Sequence, residues 1–270
     1  MAGEIRIGTQ GWNYAAWVGP FYPEGTRPAD MLTLYAQAFG TVEVDSTFYA
    51  TPPPNSVRGW ARRTPDDFVF ALKMPQEITH ERHLRRAEAE TETFLERARM
   101  LGPKLGPILV QMGPEFAPPD FDALESFIPR LPRDLRFAVE LRQAKWMRPD
   151  VLWDLLALLA EHGVALALSD GRWIPRDMVL ELAAKPTADF HYLRWMGPNR
   201  DLTDFSHVQV DRGEETAEWA GVLRGLTVDV FGYMNNHFAG HSPASARDLQ
   251  RRLGIAPVDP KQIGEQISLF

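Results

Sequence analysis

Charged and polar side chains recur at alternate positions in several short apolar runs of this chain. A two-residue period is the spacing of side chains on one face of a β-strand. In Val42-Glu43-Val44-Asp45 the valines take one face and the carboxylates the other. In Phe68-Val69-Phe70-Ala71-Leu72-Lys73 the bulky residues share one parity, and Val69, Ala71 and Lys73 take the other. Ile108 and Val110 oppose Leu109 and Gln111, while Phe137, Val139 and Leu141 oppose Ala138, Glu140 and Arg142. With the bulky set turned toward covering helices, Glu43, Asp45, Lys73, Gln111, Glu140 and Arg142 converge near the strand ends. Asp170, Arg194 and Asn235 are expected to join them from later strands. Charges in such a place are costly unless paired. Partial burial raises a carboxyl pKa, which makes Glu43 and Glu140 candidates for acid/base work. Lys73 stands with them as a catalytic candidate, and Lys73 and Arg194 can hold an anionic group on a ligand. The competing reading is a structural ion-pair network in which Glu43 pairs with Lys73 and Glu140 with Arg142.

Histidine adds two candidates. His80 lies in Thr79-His80-Glu81-Arg82-His83, and His237 follows Asn235-Asn236. Either can serve as a general base, and His237 is the catalytic candidate of the two. Either can also ligate a divalent metal together with Glu43, Asp45, Glu140 or Asp170. The residues assign no definite cofactor. An aromatic segment, Trp12, Tyr14, Trp17, Phe21 and Tyr22, follows the first strand. It can stack a sugar or a base, or it can plug the edge of the fold. The expected substrate-binding set is Trp12, Asp45, Tyr49, His80, Gln111, Arg142, Asp170, Arg194, Asn235 and Asn236.

These residues need a scaffold that gathers strand ends. Strand-like runs occur at Ile5–Thr9, Thr41–Asp45, Phe68–Lys73, Ile108–Gln111, Arg136–Arg142, Val164–Ser169, Phe190–Arg194 and Val228–Asn235. Helical periodicity separates them at Ala29–Phe39, Asn55–Arg63, Glu88–Leu101, Phe121–Pro129, Asp150–Glu161, Asp177–Ala183, Glu215–Leu223 and Pro243–Arg252. Asp150 is the expected N-cap of its helix, and Gly163 sits where a helix C-terminus favours glycine. Alternating strands and helices over 270 residues favour a closed, eight-stranded parallel α/β barrel of the TIM (β/α)₈ type over an open sheet. The barrel is expected over 1–254, followed by an extended tail over 255–270.

Composition narrows the function classes. Hydrophobic residues make up 44% of the chain, enough for a sizeable core, and there is no cysteine. Thiolate metal sites, disulfides, Fe–S clusters and cysteine nucleophiles are thereby excluded. The formal charge of −7 makes autonomous DNA binding doubtful. No signal peptide or membrane-spanning run is evident, so a cytoplasmic protein with no membrane partner is expected.

Several motifs occur in order: Gly8-Thr-Gln-Gly-Trp12, Val42-Glu-Val-Asp-Ser-Thr-Phe-Tyr49, Phe70-Ala-Leu-Lys-Met-Pro75, Ile78-Thr-His80, Gly106-Pro-Ile-Leu-Val-Gln111, Ala138-Val-Glu-Leu-Arg142 with Trp146, and Tyr233-Met-Asn-Asn236. Together they resemble the YecE-like family, a domain of unknown function. The resemblance runs from the first strand to the last helix and implies a TIM-barrel fold, with no established activity. Three departures stand out: the family usually carries Asn where Asp45 stands and His where Gln143 stands, and its last-strand motif commonly continues to an Asp-containing, Gly-rich turn where this chain reads Asn236-His237-Phe-Ala-Gly240-His241.

The chain ends Gln266-Ile-Ser-Leu-Phe270. This is similar to the short peptide by which many bacterial DNA polymerases and repair proteins dock on the sliding clamp. Leu269 and Phe270 would fill an apolar groove while Gln266 bonds at its rim. The alternative is a terminal staple packed on the barrel. Three functional readings follow: an enzyme of nucleic-acid maintenance recruited to the sliding clamp, a small-molecule enzyme acting on a sugar or phosphorylated metabolite, and a non-catalytic binding protein. An enzyme here is expected to be a hydrolase or lyase, and the expected ligand is small and anionic or sugar-like.

Overall fold

A computed structural model describes residues 3–198 and 201–264. Its centre is a closed parallel barrel in which eight strands follow one another in chain order. The strands are β1 (Ile5–Gln10), β2 (Thr41–Val44), β3 (Val69–Lys73), β4 (Leu105–Gln111), β5 (Phe137–Glu140), β6 (Ala165–Gly171), β7 (Phe190–Gly197) and β8 (Asp229–Met234). Helices α1 (Pro28–Ala38), α2 (Pro54–Arg62), α3 (Glu88–Arg99), α4 (Phe121–Phe127), α5 (Pro149–His162), α6 (Arg176–Leu182) and α7 (Gly213–Arg224) fill the crossovers. A short α8 (Asn236–Ala239) and then α9 (Ser242–Arg252) follow the last strand.

Parity sorts the strand residues. Val42, Val44, Phe70, Leu72, Ile108, Val110 and Val139 pack outward with the helices in one large core. A second, smaller core fills the barrel. There Ala71, Leu109, Ala138, Ala165 and Ala167 meet Phe190, Tyr192, Phe231 and Tyr233. Alanines from β3, β5 and β6 leave room for aromatic rings from β7 and β8, so the barrel interior is packed rather than hollow.

Several local expectations shift. β4 begins at Leu105 rather than Ile108, and the β3–β4 register slips between Phe70 and Leu72. Pro107 cannot donate to the ladder. Gly106 fits because a Cβ there would stand 2.4 Å from Val69 Cγ1. Helix α5 starts with Pro149 after Arg148, so Asp150 lies in its first turn and is not the cap. Gly163 does close α5, with φ 64°. The segment after Gly254 turns back onto the barrel: Ile263 is 2% exposed, and the Gly264 amide donates to Gln37 Oε1 at 2.8 Å. Gln266, Leu269 and Phe270 lie outside the described residues. Among the described residues, no helix is long and apolar enough to cross a membrane.

Candidate functional site

At the carboxyl ends of the strands, Arg194 rises from β7 into the centre of the mouth. All of its N–H groups are engaged. Nε donates to Glu43 Oε2 at 2.9 Å and Nη2 to Glu43 Oε1 at 2.7 Å. Nη1 donates to Glu140 Oε2 at 2.6 Å and to Gln111 Oε1 at 3.4 Å, and Nη2 also reaches Gln10 Oε1 at 3.1 Å. Tyr192 donates a further bond to Glu43 Oε2 at 2.7 Å. The expected Glu43–Lys73 pair is therefore replaced by Glu43–Arg194. The expected Glu140–Arg142 pair is present, with Arg142 Nε on Glu140 Oε1 at 2.7 Å.

This arrangement is a saturated floor. Burial alone would raise Glu140, but Arg142 and Arg194 outweigh it and hold its carboxyl down at about 2. For Arg194 burial favours the neutral form, yet Glu140 and Glu43 keep it firmly charged. Burial and the Glu43 carboxylate push the Tyr192 hydroxyl well above its ordinary range.

Above the floor lies a cavity of about 560 Å³. Gln10, Asp45, Lys73, Arg142, Arg194 and Asn235 supply its polar lining, with Trp12, Tyr14, Phe48 and Tyr49 as aromatic wall. Glu43 and Glu140 are not part of that lining. Lys73 is only 8% exposed, and its ammonium sits 3.8 Å from the centroid of the Phe48 ring. Among the described residues no carboxylate lies within ion-pairing distance of it. Burial, reinforced by nearby Arg194, lowers Lys73 to about 8. Asp45 keeps 36% of its side chain exposed and stands 4.0 Å from Arg194 Nη2. Partial desolvation and the neighbouring Glu43 charge raise it to about 7, against the pull of Arg194 and Lys73. The mouth thus holds an acid and an amine that both titrate near neutrality and influence each other.

The other sequence candidates are distributed more widely. Gln111 and Asn235 belong to the floor and its edge; Asn235 Nδ2 donates to Gln10 Oε1 at 2.7 Å. Tyr49, 73% exposed, stands at the rim. His80 packs edge-on against the Phe48 ring at 4.9 Å and is not part of the cavity lining. Burial and the Lys73 charge lower its pKa. His237 packs edge-on against Phe205 at 5.2 Å, outside the cavity lining. Asp170 faces away from the barrel: Arg176 donates to its Oδ2, and Trp219 Nε1 bonds the same oxygen at 2.6 Å. Asn236 is buried as an acceptor for Trp17 Nε1 at 3.2 Å and for the Ser242 amide and hydroxyl at 3.0 and 2.8 Å. The aromatic segment divides as well. Trp12 and Tyr14 face the cavity, whereas Trp17, Phe21 and Tyr22 are buried as a plug.

Gln10 and Tyr192 were missed by sequence reasoning, and Tyr14 entered it only as a member of the aromatic segment. Strand parity held a signal for Gln10 and Tyr192, since Gln10 pairs in register with Glu43, and Tyr192 alternates with Phe190 and Arg194. Among the described residues no group of three or more His, Asp or Glu side chains is placed to hold a metal ion. His237 and His241 stand four residues apart, but Gly240 between them adopts φ 106°, and His241 Nδ1 bonds the Phe205 carbonyl at 2.8 Å.

Fold and site together define a TIM-type (β/α)₈ barrel with a charged, aromatic-walled mouth. The chain belongs to the family described as Protein of unknown function DUF72, whose model matches residues 6–266. It is 33% identical over 142 residues to the UPF0759 protein YecE of Escherichia coli K12, a match covering 53% of this chain and 50% of that protein. The chain thus aligns with about half the length of that curated relative. With the UPF0759 protein YunF of Bacillus subtilis it is 25% identical over 286 positions, covering 96% of this chain and 99% of the other. Two solved DUF72 family structures share the fold. The one from Enterococcus faecalis V583 has a TM-score of 0.75 at 22% identity, covering 94% of this chain and 97% of its own. The one from Thermotoga maritima MSB8 has a TM-score of 0.74 at 23% identity, covering 93% and 99%.

Proposed function

We propose that this protein is an enzyme, of the hydrolase or lyase type, that acts on a small anionic or sugar-like metabolite in the barrel mouth by proton transfer between substrate and the Lys73–Asp45 pair. One observation carries the reading: Lys73 is an enclosed amine on the cavity wall, 8% exposed, and burial lowers its pKa to about 8. General acid/base groups work best with pKa values near the working pH, and such catalysis typically contributes 10²–10⁴-fold. Glu43 and Glu140 are held by Arg194 and Arg142, so in this reading they position the floor rather than exchange protons. The aromatic wall offers a stacking face for a ring. The test is a turnover screen over sugar phosphates and related acids with wild-type protein and Lys73→Met. The expected result is loss of at least about 10²-fold in the variant, with an unchanged circular dichroism spectrum. Equal turnover in both would overturn the reading.

A second reading concerns recruitment. The sequence Gln266-Ile-Ser-Leu-Phe270 fits docking on a DNA-polymerase sliding clamp, which would bring the barrel to sites of nucleic-acid maintenance. A tethered partner compensates for weak intrinsic affinity, consistent with the acidic chain. Deletion of 266–270 is expected to abolish binding to immobilised sliding clamp while leaving the melting temperature unchanged. Equal retention of intact and truncated protein would refute it.

A further inference from the structure

Two arginines end at the mouth of this barrel, and their hydrogen bonding differs. Arg194 spends every N–H on Glu43, Glu140, Gln111 and Gln10. Arg142 spends only Nε, on Glu140 Oε1. Among the described residues no acceptor is bonded to its Nη1 or Nη2, and its side chain is 16% exposed on the cavity wall. Its partner is rigidly held, because the other oxygen of Glu140 is fixed by Arg194 at 2.6 Å. A guanidinium anchored through Nε keeps its planar Nη edge in one orientation, which suits two parallel bonds to an oxyanion.

Barrels of this type often bind phosphate at the loops after the seventh and eighth strands. After the eighth strand the two asparagine side chains are already engaged within the protein. Asn235 accepts from the His237 amide at 2.8 Å, and Asn236 Oδ1 is occupied by Trp17 and Ser242. Among the described residues, Arg142 Nη1 and Nη2 face the same cavity from the end of β5, with Lys73 on β3 also in its lining.

We infer that Arg142, held by the Arg194–Glu140 pair, is an oxyanion fork that grips the phosphate or carboxylate of the ligand in two parallel hydrogen bonds, with the Lys73 ammonium beside it. This deepens the enzyme reading and rests on its cavity. It gives the ligand a direction: the anionic head toward β3 and β5, the body toward Trp12 and Tyr49. Nearby Arg142 disfavours the charge on Lys73, and a bound oxyanion would relieve that repulsion.

The test is calorimetric titration of the intact protein with inorganic phosphate at fixed ionic strength, with chloride as control. Wild-type protein is expected to bind phosphate saturably. Arg142→Gln should weaken it by at least about tenfold, the order expected for losing a bidentate charged contact. Arg142→Lys, which keeps a cation against Glu140, should fold and still lose several-fold, because an ammonium cannot form the fork. Absence of saturable binding, or wild-type affinity in either folded variant, would overturn the inference. No turnover is needed for this measurement. Phosphate binding through Arg142 in a protein that converts no metabolite would therefore support the fork while the enzyme reading fails, and turnover with unchanged affinity in the variants would do the reverse.

Discussion

Arg194 and Arg142 lie in one mouth and share Glu140, yet they do different physical work. Around Arg194, two buried carboxylates, two amides and a tyrosine close every hydrogen bond. Around Arg142 and Lys73, donors face a cavity, and protonation is poised near neutral pH. The lesson is that a cluster of charged residues need not act as one site. Saturated charges set geometry, and incompletely paired ones are available to a ligand.

Removing the floor tests this division most severely. Arg194→Met leaves Glu43 and Glu140 buried without their shared cation, and a loss of about 3–5 kcal/mol is expected. Urea denaturation measures it; a loss under about 1 kcal/mol would mean that the floor is not a structural unit. Asp170→Ala probes a charge outside the mouth. It leaves Arg176 Nη1 and Trp219 Nε1 without their acceptor, while Arg176 keeps Glu218, and should cost about 1–3 kcal/mol with phosphate affinity unchanged. A drop in that affinity would place Asp170 functionally in the site after all.

Asp45→Asn gives a smaller effect with a definite sign. Asp45 is raised from 3.8 to about 7, so between these values the folded protein keeps a proton that the unfolded chain has released. Stability therefore falls as pH rises through this window. The substitution should remove that decline, about 1 kcal/mol after allowing for solvent screening at a partly exposed side chain. Lys73, lowered to about 8, adds the opposite slope: stability rises as pH climbs from about 8 toward 10.5. Since Asp45 helps to keep Lys73 charged, the variant should also move the alkaline titration lower. An unchanged pH–stability curve would separate the two groups. Trp12→Ala is expected to be the mildest of these changes. It removes one ring face that packs at 6.0 Å against Trp60, and ring-ligand affinity should fall by about 0.5–1.5 kcal/mol with phosphate affinity intact.

Much of this is legible in the sequence. The alternation of Val42 with Glu43, or of Leu72 with Lys73, already sorted core from mouth. Parity also held information that the sequence reading did not use. Ala165, Ala167 and Ser169 take the inward face of β6, which turns Asp170 outward with Leu166 and Leu168. Asn235 and Asn236 are adjacent, so one side chain turned toward Gln10 while the other was buried against Trp17. The aromatic segment could not be divided from composition alone, because cavity wall and plug draw on the same residue types.

The sequence by itself determined the order of strands and helices, the inward parity of β2 to β5 and the absence of thiol chemistry. These follow from local period and residue type, which act over a few positions. Which carboxylate meets which cation was decided only by the tertiary structure. Glu43, Glu140 and Arg194 lie far apart in the chain and meet only because the barrel closes, and one flexible guanidinium can reach several partners at similar distance. Barrel closure gave the shared cation to Arg194, left Lys73 on Phe48, and kept the Nη edge of Arg142 at the cavity.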